Sequence, residues 1–72
     1  MLSNQGPAHL LYGASDFEVV RRGSYVLCAV SGQPIPLDTL IYWSAEFQEA
    51  YRGAEEATAA LIAGGAKHVN KA

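Results

Sequence analysis

The residues predict an α+β fold, a small antiparallel β-hairpin or meander of three to four short strands followed by one or two C-terminal helices. Three observations lead to it. Two runs rich in Val, Phe and Tyr flank Arg22-Gly23 in "DFEVVRRGSYVLCAV". Pro34 and Pro36 bracket Ile35, which forces extended backbone and keeps the segment out of a central ladder. The stretch "AEEATAALIA" is alanine-rich, opens on acidic residues and stops at Gly64-Gly65, the signature of a short helix.

Taken in order, residues 1–7 read as a flexible lead-in, because Gly6 and Pro7 interrupt regular structure. Residues 8–63 form the one expected domain, and residues 64–72 carry no pattern and are expected to be a disordered tail. "HLLY" suits a strand ending at Gly13. Beyond it, the flanks of Arg22-Gly23 suit a β-hairpin, with Gly23 supplying the positive φ of a tight turn. On its second arm Tyr25, Leu27 and Ala29 alternate with Val26, Cys28 and Val30; both rows are apolar, so both faces are expected to be covered. The chain turns at "SGQP", bends again at Asp38-Thr39 and continues as the strand "LIYW". Ser44 is a good N-cap and Glu46 suits the positive end of a helix dipole, so a first helix is expected there. Phe47, Ala50, Tyr51 and Ala54 would be its apolar stripe. The second helix, at about ten residues, is marginal alone, so Leu61 and Ile62 are expected to dock on something.

A chain of 72 residues is one domain and buries only about 60% of its unfolded surface. Half the residues are hydrophobic, yet many of those are alanine, so the core is thin. A partner protein, or a second copy forming a homodimer, would complete it. Five basic against seven acidic residues give a net charge of -2, a field that attracts neither nucleic acid nor an acidic membrane. One cysteine excludes an internal disulfide and points to the cytoplasm. The opening residues lack a basic n-region, and no window reaches the ~20 apolar residues of a span, so a soluble, unexported protein is expected.

Cys28 carries the most distinctive chemistry. Cys-x-x-Cys-Gly is the knuckle that gives two thiolates to structural zinc. Here Ser31 replaces the second thiol, and Trp43, Ser44, Ala45 and Glu46 stand where the other pair would fall. His9 and His68 are the remaining good ligands, short of the four that zinc wants. The expectation is therefore no metal and no cofactor, and a fold resembling a metal-free zinc ribbon or treble clef. Apolar strand neighbours would raise the Cys28 pKa, which argues against a nucleophile. The carboxylates sit at bends and in first helical turns, and the glycines lack a phosphate-cradling spacing. No enzyme is expected.

Alternation sends Tyr42 and Trp43 to opposite faces of their strand, leaving one outside near the prolines. Aromatic side chains of this kind anchor protein interfaces. The leading expectation is a non-enzymatic protein-binding surface made of Gln33, Pro34, Ile35, Tyr42, Trp43, Gln48 and Tyr51. The alternative is weak nucleic-acid binding by Arg21, Arg22 and Tyr25 at the hairpin tip, against which the acidic total favours a merely solvated tip.

"CAVSGQPIPLDTLIYWSAEFQEAY" resembles the signature of a small bacterial family, domain of unknown function 2093. The matching pieces are Cys28 to Gly32 with Ser31 in place of Thr, Ile35 to Leu37, Tyr42 to Ser44, and Gln48 to Tyr51. "DFEVVRRGSYV" is similar to the family's hairpin, with Arg22 where proline is frequent, and Phe47 stands where a basic residue is usual. The resemblance runs over residues 8 to 52 and leaves out the "EEATAALIAGG" helix. It implies a bacterial cytoplasmic protein and brings no activity, cofactor or catalytic residue with it.

Overall fold

The computed structural model describes residues 6–69. Six short strands come first: β1 (His9–Tyr12), β2 (Phe17–Arg21), β3 (Tyr25–Leu27), β4 (Pro34–Pro36), β5 (Tyr42–Ser44) and β6 (Glu49–Tyr51). One helix, α1 (Ala54–Ala63), follows, with 3-10 turns at Leu37–Thr39 and Ala66–His68. The strands form three antiparallel pairs, β1 with β2, β3 with β4 and β5 with β6. This is the expected α+β class, with helices last.

Hydrogen bonds between the pairs join them. Ala8 N–H donates to the Tyr25 carbonyl at 2.7 Å, and Pro7 bridges Tyr25 in parallel, so the lead into β1 runs beside β3. Ala29 N–H donates to the Ala50 carbonyl at 2.8 Å, which sets the end of β3 beside β6. The core lies between the pairs. It comprises Leu10, Tyr12, Val26, Cys28, Ile35, Leu40 and Ala50, with Phe17 and Trp43 packed on it. Trp43 stacks on Tyr12 at 6.3 Å and meets Phe17 edge-on at 5.3 Å, while its indole N–H donates to the Gly13 carbonyl at 2.9 Å. One indole thereby fastens the β1–β2 hairpin to β5.

The hairpin expected across Arg22-Gly23 does not form. β2 pairs with β1 instead, and β3 with β4. The reason is the chain that passes Gly23: Ser24 N–H donates to the Gly6 carbonyl at 3.0 Å, and a Cβ at Gly23 would lie 2.4 Å from the backbone of Pro7 and Ala8. Glycine is needed there for close approach; the positive-φ glycines among the described residues are Gly32, Gly64 and Gly65.

The helix expected from Ser44 is also absent, and α1 is the single α-helix of the described residues. Ser44 does cap a turn, its hydroxyl accepting from Phe47 N–H at 3.0 Å, but Gln48 at φ 53° reverses the chain into β6. Tertiary hydrogen bonds of β6 to β5 and to Ala29 outweigh a local helical stripe. Nor are both faces of β3 covered, since Val26 and Cys28 are buried while Leu27 is 53% exposed.

α1 forms where expected. Gly64 at φ 86° stops it, and the N–H groups of Gly64 and Gly65 both donate to the Ala60 carbonyl. The helix docks through small residues: Ala60 is fully buried, whereas Leu61 and Ile62, the expected docking pair, are 60% and 82% exposed. Gly65 and Ala66 are buried beyond it, and Ala66 N–H donates to the Glu49 carboxylate at 2.7 Å. Of the expected lead-in, residues 1–5 lie outside the described residues, as do residues 70–72 of the expected tail.

Candidate functional site

The turn between β3 and β4 is built around the Cys28 thiol. Cys28 N–H donates to the Gln33 carbonyl at 2.8 Å, Gly32 N–H donates to the Cys28 carbonyl at 2.9 Å, and Gly32 takes the left-handed conformation at φ 77° that closes the loop. The sulfur accepts from Ser31 N–H at 3.4 Å and from Arg52 N–H at 3.3 Å. The thiol therefore links this turn to the residue just beyond β6. Burial pushes its pKa up, but the Ser31 hydroxyl and the N–H groups of Ser31, Arg52 and Val30 together bring it below the ordinary thiol value. Sequence reasoning expected the opposite direction because it saw apolar strand neighbours and not the amides aimed at the sulfur.

The residues expected to display a protein-binding surface divide into two groups. Gln33, Pro34 and Tyr42 are exposed, and the Gln33 carboxamide oxygen accepts from the Arg52 guanidinium. Ile35 and Tyr51, at 3% and 1% exposure, are core and cannot present a surface. Trp43 is half-buried, with its indole N–H engaged by Gly13. The Gln48 side chain serves the fold: its Oε1 accepts from Tyr12 N–H at 2.9 Å, and its Nε2 donates to the carbonyls of Tyr12 and Ala45, each at 2.7 Å. Gln48, expected from sequence to belong to a binding surface, ties two hairpins together, and Gln48→Ala removes that tie.

Tyr51 is held from the same side. Its hydroxyl donates to the Glu49 carboxylate at 2.8 Å. Burial, then that hydrogen bond and the carboxylate charge, push its pKa well above the ordinary tyrosine value. Glu49 is thus the joint between β6 and the segment after α1.

Arg21 and Arg22 are exposed at the end of β2, and Tyr25 is half-buried at the start of β3. They do not share a hairpin tip, because β2 and β3 are not partners. Among the described residues no group of three or more His, Cys, Asp or Glu side chains is placed to hold a metal ion, and no helix is long and apolar enough to cross a membrane.

A feature the sequence reading passed over is a groove of about 620 Å³ between the β1–β2 hairpin and β3. Leu11, Val20 and Leu27 line it, exposed by 52%, 61% and 53%, and Gln48 and Glu49 close one end. The signal was present: Leu10-Leu11-Tyr12 and Val19-Val20 put apolar side chains on both faces of strands that can bury only one.

Fold and site together define a small α+β domain of hairpins, with a thiol-centred turn and an apolar groove. Residues 19–60, more than half of the chain, match the model of the family described as "Uncharacterized protein conserved in bacteria (DUF2093)", and the chain belongs to that family. The match extends past β6 into α1, farther than the quoted signature. No curated protein and no solved structure matches the chain.

Proposed function

We propose that this chain is a non-enzymatic interaction module of the bacterial cytoplasm, and that the groove bounded by Leu11, Val20 and Leu27 receives an extended apolar segment of another protein. What supports this reading is one observation: three large aliphatic side chains, each more than half exposed, line the same concave surface of a domain whose thin core had use for them. The other side chains at the groove make the occupant uncharged. His9, Tyr12 and Glu49 are its ionisable lining residues; the Tyr12 phenol, its pKa raised by burial, is neutral, and the Glu49 carboxylate is already engaged by Tyr51 and Ala66. The buried setting of Cys28, whose sulfur is taken up by backbone amides, supports the non-enzymatic part of the reading.

The test is a pull-down with purified wild-type chain and with Val20→Ser and Leu27→Ser variants that keep the wild-type circular dichroism. A stoichiometric protein that survives nuclease and is lost with both variants is expected. Retention of that protein by both variants would remove the groove from the reading. Recovery of nuclease-sensitive material whose binding falls steeply with salt would replace it with the nucleic-acid alternative at Arg21 and Arg22.

A further inference from the structure

Two turns of this fold repeat one geometry. In Cys28-Ala29-Val30-Ser31-Gly32 the first side chain accepts the N–H of the fourth residue at 3.4 Å, and the fifth residue has φ 77°. In Ser44-Ala45-Glu46-Phe47-Gln48 the first side chain accepts the N–H of the fourth at 3.0 Å, and the fifth has φ 53°. Each turn connects an antiparallel pair, β3 to β4 and β5 to β6. Both leading side chains are buried, Cys28 at 2% and Ser44 at 7% exposure. A left-handed conformation is ordinary for Gly32 and uncommon for Gln48, so its recurrence at the same position marks a shared turn type.

The fold sets both turns against the β6 segment. Cys28 reaches β6 through Arg52 N–H, and Ser44 lies opposite Glu49 in the β5–β6 register. Tyr51, the largest fully buried side chain, lies between Glu49 and Arg52 along that segment. Its hydroxyl donates to the Glu49 carboxylate, opposite Ser44 in the register.

We infer that the two turns are a pair of zinc knuckles from which the metal has been lost, with Ser31, Ser44 and Phe47 standing at the three positions that would complete a four-thiolate site with Cys28. The spacing of paired positions, two residues within each turn and a longer interval between turns, is that of Cys-x-x-Cys pairs in structural zinc sites. The residues present do not fit zinc, since they offer one thiol and no second donor of its kind. Hydrogen bonding takes the place of coordination: amides of Ser31 and Arg52 satisfy the Cys28 sulfur, and the Phe47 amide satisfies the Ser44 hydroxyl. This inference is independent of the groove, and neither stands or falls with the other.

The experiment is cobalt titration of a Ser31→Cys, Ser44→Cys, Phe47→Cys variant, made with and without Tyr51→Phe. Cobalt in tetrahedral thiolate coordination gives intense visible bands. One equivalent is expected to bind, on the order of 100-fold more tightly than to a control with thiols at Gln33, Ala45 and Glu46 instead, and to raise or restore the native circular dichroism. An apo variant that is unfolded remains informative, because a structural metal site folds its chain on binding. Absence of tetrahedral bands in both backgrounds, equal affinity in the displaced control, or binding without native structure would each overturn the inference.

Discussion

The carboxamide of Gln48 closes a two-bond ring on the backbone of Tyr12, accepting its N–H at 2.9 Å and donating to its carbonyl at 2.7 Å across 36 positions of sequence. A side chain thus acts as the next strand for β1, and it does so from a residue held at φ 53°. Gln48→Ala loses these bonds and the one to Ala45 while keeping the strained backbone. It is expected to lower unfolding free energy by about 1–4 kcal/mol. Gln48→Gly, which relieves the backbone, is expected to lie between Ala and wild type. Urea denaturation checks the order, and an unchanged midpoint for Gln48→Ala would show that the ring contributes nothing.

Cys28 accepts two amides, and removal of the acceptor leaves them unpaired beneath the surface. Cys28→Ala is expected to cost about 1–3 kcal/mol, and Cys28→Ser less, because a hydroxyl can still accept. Burial should dominate reactivity despite the lowered pKa. A thiol reagent is expected to label native protein far more slowly than protein in urea, and equal rates would contradict the enclosure of the sulfur.

Tyr51 gives stability a pH dependence of known sign. Its folded pKa is raised above the unfolded value of about 10, so the neutral phenol stabilises the fold fully below that pH. That contribution is lost as pH rises through the folded value. Tyr12, raised by burial, acts in the same sense, whereas Cys28, with a lowered pKa, contributes above the ordinary thiol value and loses it as pH falls. Tyr51→Phe isolates the tyrosine. It is expected to be less stable than wild type by about 1–3 kcal/mol near neutral pH, with the gap narrowing above pH ~10. A constant gap across that window would detach Tyr51 from the titration.

Gly23 reports on the pairing of strands. A Cβ there would come within 2.4 Å of backbone from Pro7 and Ala8, so Gly23→Ala is expected to cost roughly 2 kcal/mol or more and to release the Gly6–Ala8 segment from Tyr25. Amide hydrogen exchange at Ala8 and Ser24 reads that release. A neutral substitution would place the N-terminal segment elsewhere.

Local signals and tertiary ones separate cleanly along this chain. β1, the extended Pro34–Pro36 segment and the Gly64 stop of α1 were legible because proline, glycine and short apolar runs act on their own backbone. The β5–β6 hairpin was not, since Phe47, Ala50 and Tyr51 share helical spacing and the deciding bonds come from Tyr12 and Ala29, distant in sequence. Arg22-Gly23 misled for a similar reason: the turn residues were suitable, but a third segment occupies the place where the arms would have met. Of the interaction residues expected from sequence, Ile35, Trp43, Gln48 and Tyr51 hold the hairpins together, while Gln33, Pro34 and Tyr42 are exposed. The groove instead uses plain aliphatic residues, whose placement required the strand pairing.

The most direct test of the interaction reading is site-specific photo-cross-linking in the native cell, with the photoreactive residue at Val20 in the groove and, as a comparison, at exposed Ile62 on α1. A single nuclease-resistant protein adduct from Val20, absent from Ile62 and suppressed by Leu27→Ser, is the expected result. Adducts of equal pattern and yield from both positions, or none from Val20, would contradict the groove as the binding surface.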